Sequence, residues 1–91
     1  MKYELLYTKS YNKKAQNFFK KHKDIINKYQ KALQILELNP HHPSLRLHKL
    51  VNQTLYSISI NMRYRITIEF YIEDQLIIPI NIGTHDDVYK S

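Results

Sequence analysis

The chain has no cysteine, a single glycine (Gly83) and three prolines. Without cysteine there is no disulfide framework and no thiolate nucleophile, which fits a reducing compartment. One glycine excludes the GxGxxG fingerprint, the Walker loop and the Gly-x-Ser-x-Gly elbow, all of which need at least two. No apolar run approaches the ~18–20 residues that span a bilayer. The opening MKYELLYTKSY lacks the long apolar segment of a signal peptide, so a cytoplasmic location with no membrane partner is expected. Acidic residues are scarce at the start. Residues 1–31 hold only Glu4 and Asp24 against nine lysines: Lys2, Lys9, Lys13, Lys14, Lys20, Lys21, Lys23, Lys28 and Lys31.

What is present is a basic, moderately hydrophobic chain. The net charge is +6 and the pI about 9.6. The excess sits in the first third, while the remainder is close to neutral. A lysine-rich segment with few acids points to an anionic partner, nucleic acid or an acidic protein; the plain alternative is a solvated helix face. Hydrophobic content of 43% fits a folded chain, and 91 residues predict one domain, 1–91.

The patterning predicts an α+β fold. Residues 2–7 (KYELLY) form a short first strand. Thr8 or Ser10 caps a helix whose apolar face is Tyr11, Ala15, Phe18, Phe19 and His22. His22 on that face is a packing residue. Asp24 caps a second helix with Ile25, Tyr29, Ala32, Leu33 and Leu36 on one side, ended by Asn39-Pro40. The short connection makes a helical hairpin. Residues 41–50 (HHPSLRLHKL) have no clean period and read as a loop. Strands at 55–60, 64–72 and 76–82 follow as a three-stranded antiparallel meander, with the helices packed on one face of the sheet.

Parity sharpens this. Opposed residues of an antiparallel pair share a face. Tyr56, Ile58 and Ile60 match Tyr64, Ile66, Ile68, Phe70 and Ile72, and these match Leu76, Ile78, Ile80 and Ile82, if the loops are the three-residue Asn61–Arg63 and Glu73–Gln75. Arg65 then lies between Ser59 and Gly83, and Thr67 between Ser57 and Asn81. The helix-free face would carry Ser57, Ser59, Arg63, Arg65, Thr67, Glu69 and Asn81, with His85 one ladder step beyond, near Arg63. Pro79 signals a bulge or an edge, which would shift the register by one.

Two arginines converging on a histidine suit phosphodiester chemistry. An RNA strand can be cut without metal by its own 2′-OH, given an acid, a base and cations for the charge that builds on phosphorus. Histidine supplies the first two near neutral pH, and the guanidinium fork pairs phosphate oxygens. Tyr89 suits stacking on a base or, alternatively, plugging the sheet edge. His41-His42 and His48 lack a zinc-site pattern. Asp86-Asp87 reads as the cap of a final turn, Asp86 to Lys90, rather than an acid–base pair.

In this order and spacing, Arg46-Leu47-His48-Lys49, Tyr64-Arg65, and Gly83-Thr84-His85 with Tyr89 resemble motifs of the RelE/ParE superfamily of toxins from bacterial type II toxin–antitoxin systems, nearest its RelE and YafQ-like branch. The resemblance covers nearly the whole chain. It implies a ribosome-dependent mRNA endoribonuclease that inhibits translation, needs no metal or cofactor, and has as partners a cognate antitoxin, the ribosome and mRNA. It implies His85 as acid or base, Arg65 as phosphate ligand and Tyr89 as an orienting aromatic. Arg46, His48 and Lys49 would contact RNA or assist proton transfer, with Arg63, Lys13 and Lys20 as further RNA contacts. Two positions depart from the pattern: Asn81 stands where many relatives carry a basic residue, and Arg63 lies in the loop rather than at the strand start. The superfamily also includes ParE-like members that inhibit DNA gyrase without cleaving anything. A non-toxic RNA- or protein-binding module on the same scaffold is a third class.

Overall fold

The computed structural model describes residues 2–50, 54–84, 86 and 88. Strand β1 (Glu4–Leu5) leads into helix α1 (Lys9–Lys21) and helix α2 (Ile26–Leu38); strands β2 (His48–Lys49), β3 (Leu55–Ser59), β4 (Tyr64–Tyr71) and β5 (Leu76–Thr84) follow. The sheet order is β1-β5-β4-β3-β2. Only the β1–β5 pair is parallel, so the sheet is mixed. The predicted α+β class and helical hairpin are present. The described residues form five strands instead of the expected four, because residues 48–49 of the expected loop pair with β3. Two residues are too few to show an alternation in sequence.

Helix α1 starts where the extended Thr8 accepts the Tyr11 N–H at 3.0 Å, and it ends in Lys20 and Lys21, cations placed at the negative end of the helix dipole. Its apolar stripe is the predicted one. Tyr11 is buried, and its hydroxyl meets that of Tyr29 at 2.8 Å, tying α1 to α2. Burial pushes the Tyr11 phenol far above its ordinary pKa, and Tyr29 and Tyr7 are raised for the same leading reason. His22 is a packing residue, as expected: its ring stacks 4.4 Å from Phe18 and lies 4.8 Å from Tyr64. Asp24 does not cap α2. A 3₁₀ turn over Lys23–Ile25 intervenes, so Ile25 occupies the cap position without a side-chain bond. Asn39 turns extended and ends α2 as the Asn-Pro pair requires.

A second 3₁₀ turn, Pro43–Leu45, lies inside the expected loop. The His42 Nδ1 accepts the Ser44 N–H at 3.1 Å, and Leu45 is driven into the core. Arg46 follows in the left-handed region (φ 48°).

Between β3 and β4 the register is the predicted one: Ser59 opposes Arg65 and Ser57 opposes Thr67. The three-residue turn forms because the Asn61 side-chain oxygen accepts the N–H groups of Arg63 (2.9 Å) and Tyr64 (2.8 Å). Between β4 and β5 the prediction is half right. The reversal is tighter than expected: Tyr71 pairs with Leu76, and the Gln75 N–H donates to the Ile72 carbonyl at 3.2 Å. Ile77 and Pro79, rather than Leu76 and Ile78, therefore face the core, and Ile77 is fully buried opposite Phe70. A register shift then leaves Ile80 without an opposed residue, since Pro79 pairs with Ile68 and Asn81 with Thr67. This is the bulge that Pro79 signalled. Beyond it the phase is as predicted: Ile82 is buried opposite Ile66, and Asn81 and Gly83 share the face of Thr67 and Arg65.

Candidate functional site

Two rows of residues cross the face of the sheet away from α1 and α2, termed the helix-free face for the helices of the hairpin. One runs His48, Ser57, Thr67, Asn81 from β2 to β5; the next runs Ser59, Arg65, Gly83. Small polar residues occupy the middle. Ser57 is 0% exposed, Thr67 4% and Ser59 8%. The Thr67 hydroxyl is buried with no hydrogen-bond partner among the described residues. Asn81 turns its side-chain oxygen back to the Ile82 N–H at 2.9 Å.

Arg65 organises this face. Its Nε donates to the Ser57 hydroxyl at 3.0 Å, and its Nη2 donates to the Ser57 carbonyl at 3.2 Å and the Arg46 carbonyl at 2.8 Å. A planar fork with several fixed donors can hold these acceptors at once; a lysine could not hold all of them in that geometry. The bonds fix the guanidinium over β3 and fasten the left-handed Arg46 corner to the sheet. Further along β4, Tyr71 donates its hydroxyl to the Glu69 carboxylate, and this bond raises the Tyr71 pKa.

The predicted site residues separate into groups. Arg65 and His48 lie on the helix-free face, with Arg46 exposed at its rim. Arg63 is exposed in the β3–β4 turn, its guanidinium carbon 5.7 Å from the ring centroid of Tyr64. That ring packs against Phe18 and His22 on the helix side, so Arg63 sits at the end of the sheet instead of beside Arg65 on its face. Lys49 opposes Tyr56 and so faces the helix-bearing side, away from His48. Lys20 lines a basic groove between α1 and β5 with Lys14, Lys21, His22 and Asn81. Lys13 is exposed on α1. His85 and Tyr89 lie outside the described residues, as does most of the expected final turn; β5 is described as far as Thr84, which opposes Tyr64 beside Arg63. Among the described residues, no three His, Cys, Asp or Glu side chains are grouped to hold a metal ion.

Sequence reasoning placed Arg65 correctly but missed what it binds. Its nearest opposed residue is Ser59, yet the side chain reaches diagonally to Ser57 and on to a backbone carbonyl. A strand pattern carries no signal for such a contact. The burial of Ser57 and Thr67 was missed for the same reason.

No known family's sequence pattern matches the chain, and no curated protein matches it. Solved structures do. YafQ from E. coli, in a toxin–antitoxin complex with DinJ, superposes with a TM-score of 0.78 at 19% identity, over 98% of this chain and 99% of that one. The chain has the YafQ fold. A YoeB/ParE toxin from Agrobacterium tumefaciens matches at 0.71 with 14% identity, over 90% of this chain and 98% of its own. YoeB from Staphylococcus aureus, solved as a dimer, matches at 0.70 with 17% identity, over 93% and 99%. The structural likeness to YafQ and YoeB/ParE-type toxins is thus the one the sequence motifs implied, and it spans nearly the full length on both sides. Among the described residues no helix is long and apolar enough to cross a membrane.

Proposed function

We propose that this chain is the toxin of a type II toxin–antitoxin pair, an endoribonuclease that cuts mRNA on the ribosome in the cytoplasm and is neutralised by a cognate antitoxin. The observation that carries the reading is Arg65: a guanidinium held rigidly on a helix-free sheet face, with His48 in the adjacent row and Arg46 at the rim. The YafQ fold supports it.

The chemistry follows from the groups. A base removes the proton from a ribose 2′-OH, and the freed oxygen attacks the adjacent phosphorus. The 5′-oxygen then leaves with a proton from an acid, giving a 2′,3′-cyclic phosphate and a 5′-hydroxyl. His85 and His48 are the acid–base candidates, because imidazole exchanges protons near neutral pH. Arg65 stabilises the extra charge on the phosphorane, and a fixed guanidinium needs no reorganisation to do so. Tyr89 orients the strand by stacking on a base. Arg46, Arg63, Lys49, Lys20 and Lys13 hold the RNA or the ribosome electrostatically, with Arg46 and Arg63 closest to the chemistry. No step here needs a metal or a cofactor.

Expression without the antitoxin should stop growth by stopping translation, and primer extension on ribosome-bound message should show discrete cuts. Intact transcripts during the arrest would refute the assignment. If toxicity survives His85→Ala unchanged, the second reading gains: a ParE-like inhibitor of DNA gyrase needs no titratable group at that position.

A further inference from the structure

A groove of about 440 Å³ opens beside the β3–β4 turn, and among the residues lining it are Lys28, Ser44, Arg46, Ser59, Met62 and Arg63. Its three cations come from three separate elements: Lys28 from α2, Arg46 from the left-handed corner after Pro43–Leu45, and Arg63 from the turn. All three are exposed, and among the described residues no carboxylate lines the groove. Converging like charges repel one another, and a polyanion lying between them relieves that repulsion while releasing its own counterions. The lip carries an apolar group as well. Met62 is 85% exposed, which suits a flexible thioether to lie against the flat face of a base.

Two links connect this groove to the face that carries Arg65. The Arg46 carbonyl is held by the Arg65 Nη2 at 2.8 Å, so the guanidinium on the sheet sets the position of the groove wall. Ser59 is both a wall of the groove and the residue opposed to Arg65 across the ladder. A strand leaving Arg65 toward the end of the sheet therefore runs into the groove. Its volume lies in the range of a pocket for one small-molecule-sized unit, the scale of a single nucleotide.

We infer that this groove is a second subsite for single-stranded RNA: Lys28 and Arg63 take backbone phosphates flanking the one at Arg65, and Met62 contacts a base. The inference rests on the RNA-cutting reading above and adds Lys28 and Met62 to it.

The test uses the full chain and a single-stranded RNA of roughly ten nucleotides, 2′-O-methylated so that it cannot be cut, with binding followed by fluorescence anisotropy across a salt series. Lys28→Gln should weaken binding at low salt and reduce the slope of log K against log salt by about 0.7, the loss of one phosphate contact on a single strand. Met62→Ser should weaken RNA binding about two- to fivefold, less than the loss of an aromatic stacking partner, and leave binding of base-free polyphosphate unchanged. Lys9→Gln, on an exposed lysine outside the groove, should change neither. If Lys28→Gln keeps the wild-type slope while Arg65→Ala still weakens binding, the groove assignment is overturned and the RNA reading survives. Equal affinity for an RNA duplex also overturns it. If wild-type protein fails to bind the RNA, or if Lys28→Gln and Met62→Ser both bind like wild type, this proposal falls, while the RNA-cutting reading is decided separately by primer extension on ribosome-bound message.

Discussion

Replacing Thr67 with valine should make the protein more stable. Thr67 lies at the centre of the face away from α1 and α2, 4% exposed, and its hydroxyl has no hydrogen-bond partner among the described residues. Valine has nearly the same shape and the same β-branched preference for a strand. The change therefore exchanges a buried, unsatisfied hydroxyl for a methyl group. In mutational data an unsatisfied buried hydroxyl costs roughly 1–3 kcal/mol. Because the fit of a methyl to a site shaped for oxygen is imperfect, a gain of about 1–2 kcal/mol is the reasonable figure. For a domain of this size about 1 kcal/mol corresponds to roughly 4–8 °C in Tm, so the shift should be visible by calorimetry. In urea the midpoint should rise with the m value unchanged, which separates a native-state effect from one on the unfolded chain. Thr67→Ser is the control: it keeps the orphan hydroxyl, removes a buried methyl, and should destabilise by about 1 kcal/mol. If Thr67→Val instead destabilises by a kilocalorie or more while Thr67→Ser is neutral, the hydroxyl has a partner and the description of this face is wrong.

Ile77→Ala should cost about 2–4 kcal/mol in urea unfolding, as for a fully buried aliphatic residue, while Leu76→Ala, half-exposed on the other face, costs clearly less; the reverse order would restore the parity first expected for β5. Tyr11→Phe removes the Tyr11–Tyr29 hydroxyl bond and should cost about 1 kcal/mol at neutral pH. The same pair makes stability sensitive to alkali. The folded-state pKa of Tyr11 is raised by burial above its ordinary value of 10.0, so the folded chain keeps a proton that the unfolded chain releases. That stability is fully present below pH 10 and falls as pH rises beyond it. Denaturation curves for wild type and Tyr11→Phe should therefore converge above pH 10, and parallel curves would refute the coupling. In a cleavage assay Arg65→Ala should reduce the rate far more than Lys13→Ala, since one guanidinium faces the reacting phosphate and the other cation only steers. Arg65→Lys should recover part of the charge effect but not the bonds to Ser57 and Arg46; comparable losses in Arg65→Ala and Lys13→Ala would contradict the roles given to them.

Much of this fold was legible because one strand pair has strict alternation. In β3 and β4 each inward residue is large and apolar and each outward one but Leu55 is polar, so a slip by one residue would reverse both faces, and only one register survives. The first half of β5 has no such contrast. Leu76, Ile77, Ile78, Pro79 and Ile80 are apolar at both parities, so the pattern there is silent and the tighter turn at Glu73-Asp74 decides it. The loop before β3 was illegible for a different reason: its order comes from the His42–Ser44 cap and the burial of Leu45, contacts a few residues in length that leave no period. At the site, register placed Arg65 on its face, whereas His48 stood in the expected loop and reaches that face only through the two-residue pairing of β2 with β3. The latch from Arg65 to Arg46 spans 19 positions, and the convergence of Lys28 with Arg63 joins two elements that no local pattern relates.

The bulge at Ile80 is where fold and site meet. Before it, β5 turns Ile77 and Pro79 inward against the helices; after it, Ile82 is inward and Asn81 and Gly83 are outward. With no extra residue the second half of β5 would invert. Ile82 would be placed among Ser57, Thr67 and Arg65, and Asn81 would be forced into the core without a partner, a cost of the order of 1–3 kcal/mol for each buried unpaired polar group. Pro79 makes the irregularity tolerable, because it has no N–H to lose from the ladder. The Ile80 carbonyl accepts from the Lys14 ammonium at 3.4 Å, so a cation of α1 meets the backbone at the point where the phase changes. One inserted residue thus lets a single strand serve an apolar core at one end and present a polar, glycine-containing edge to Arg65 at the other.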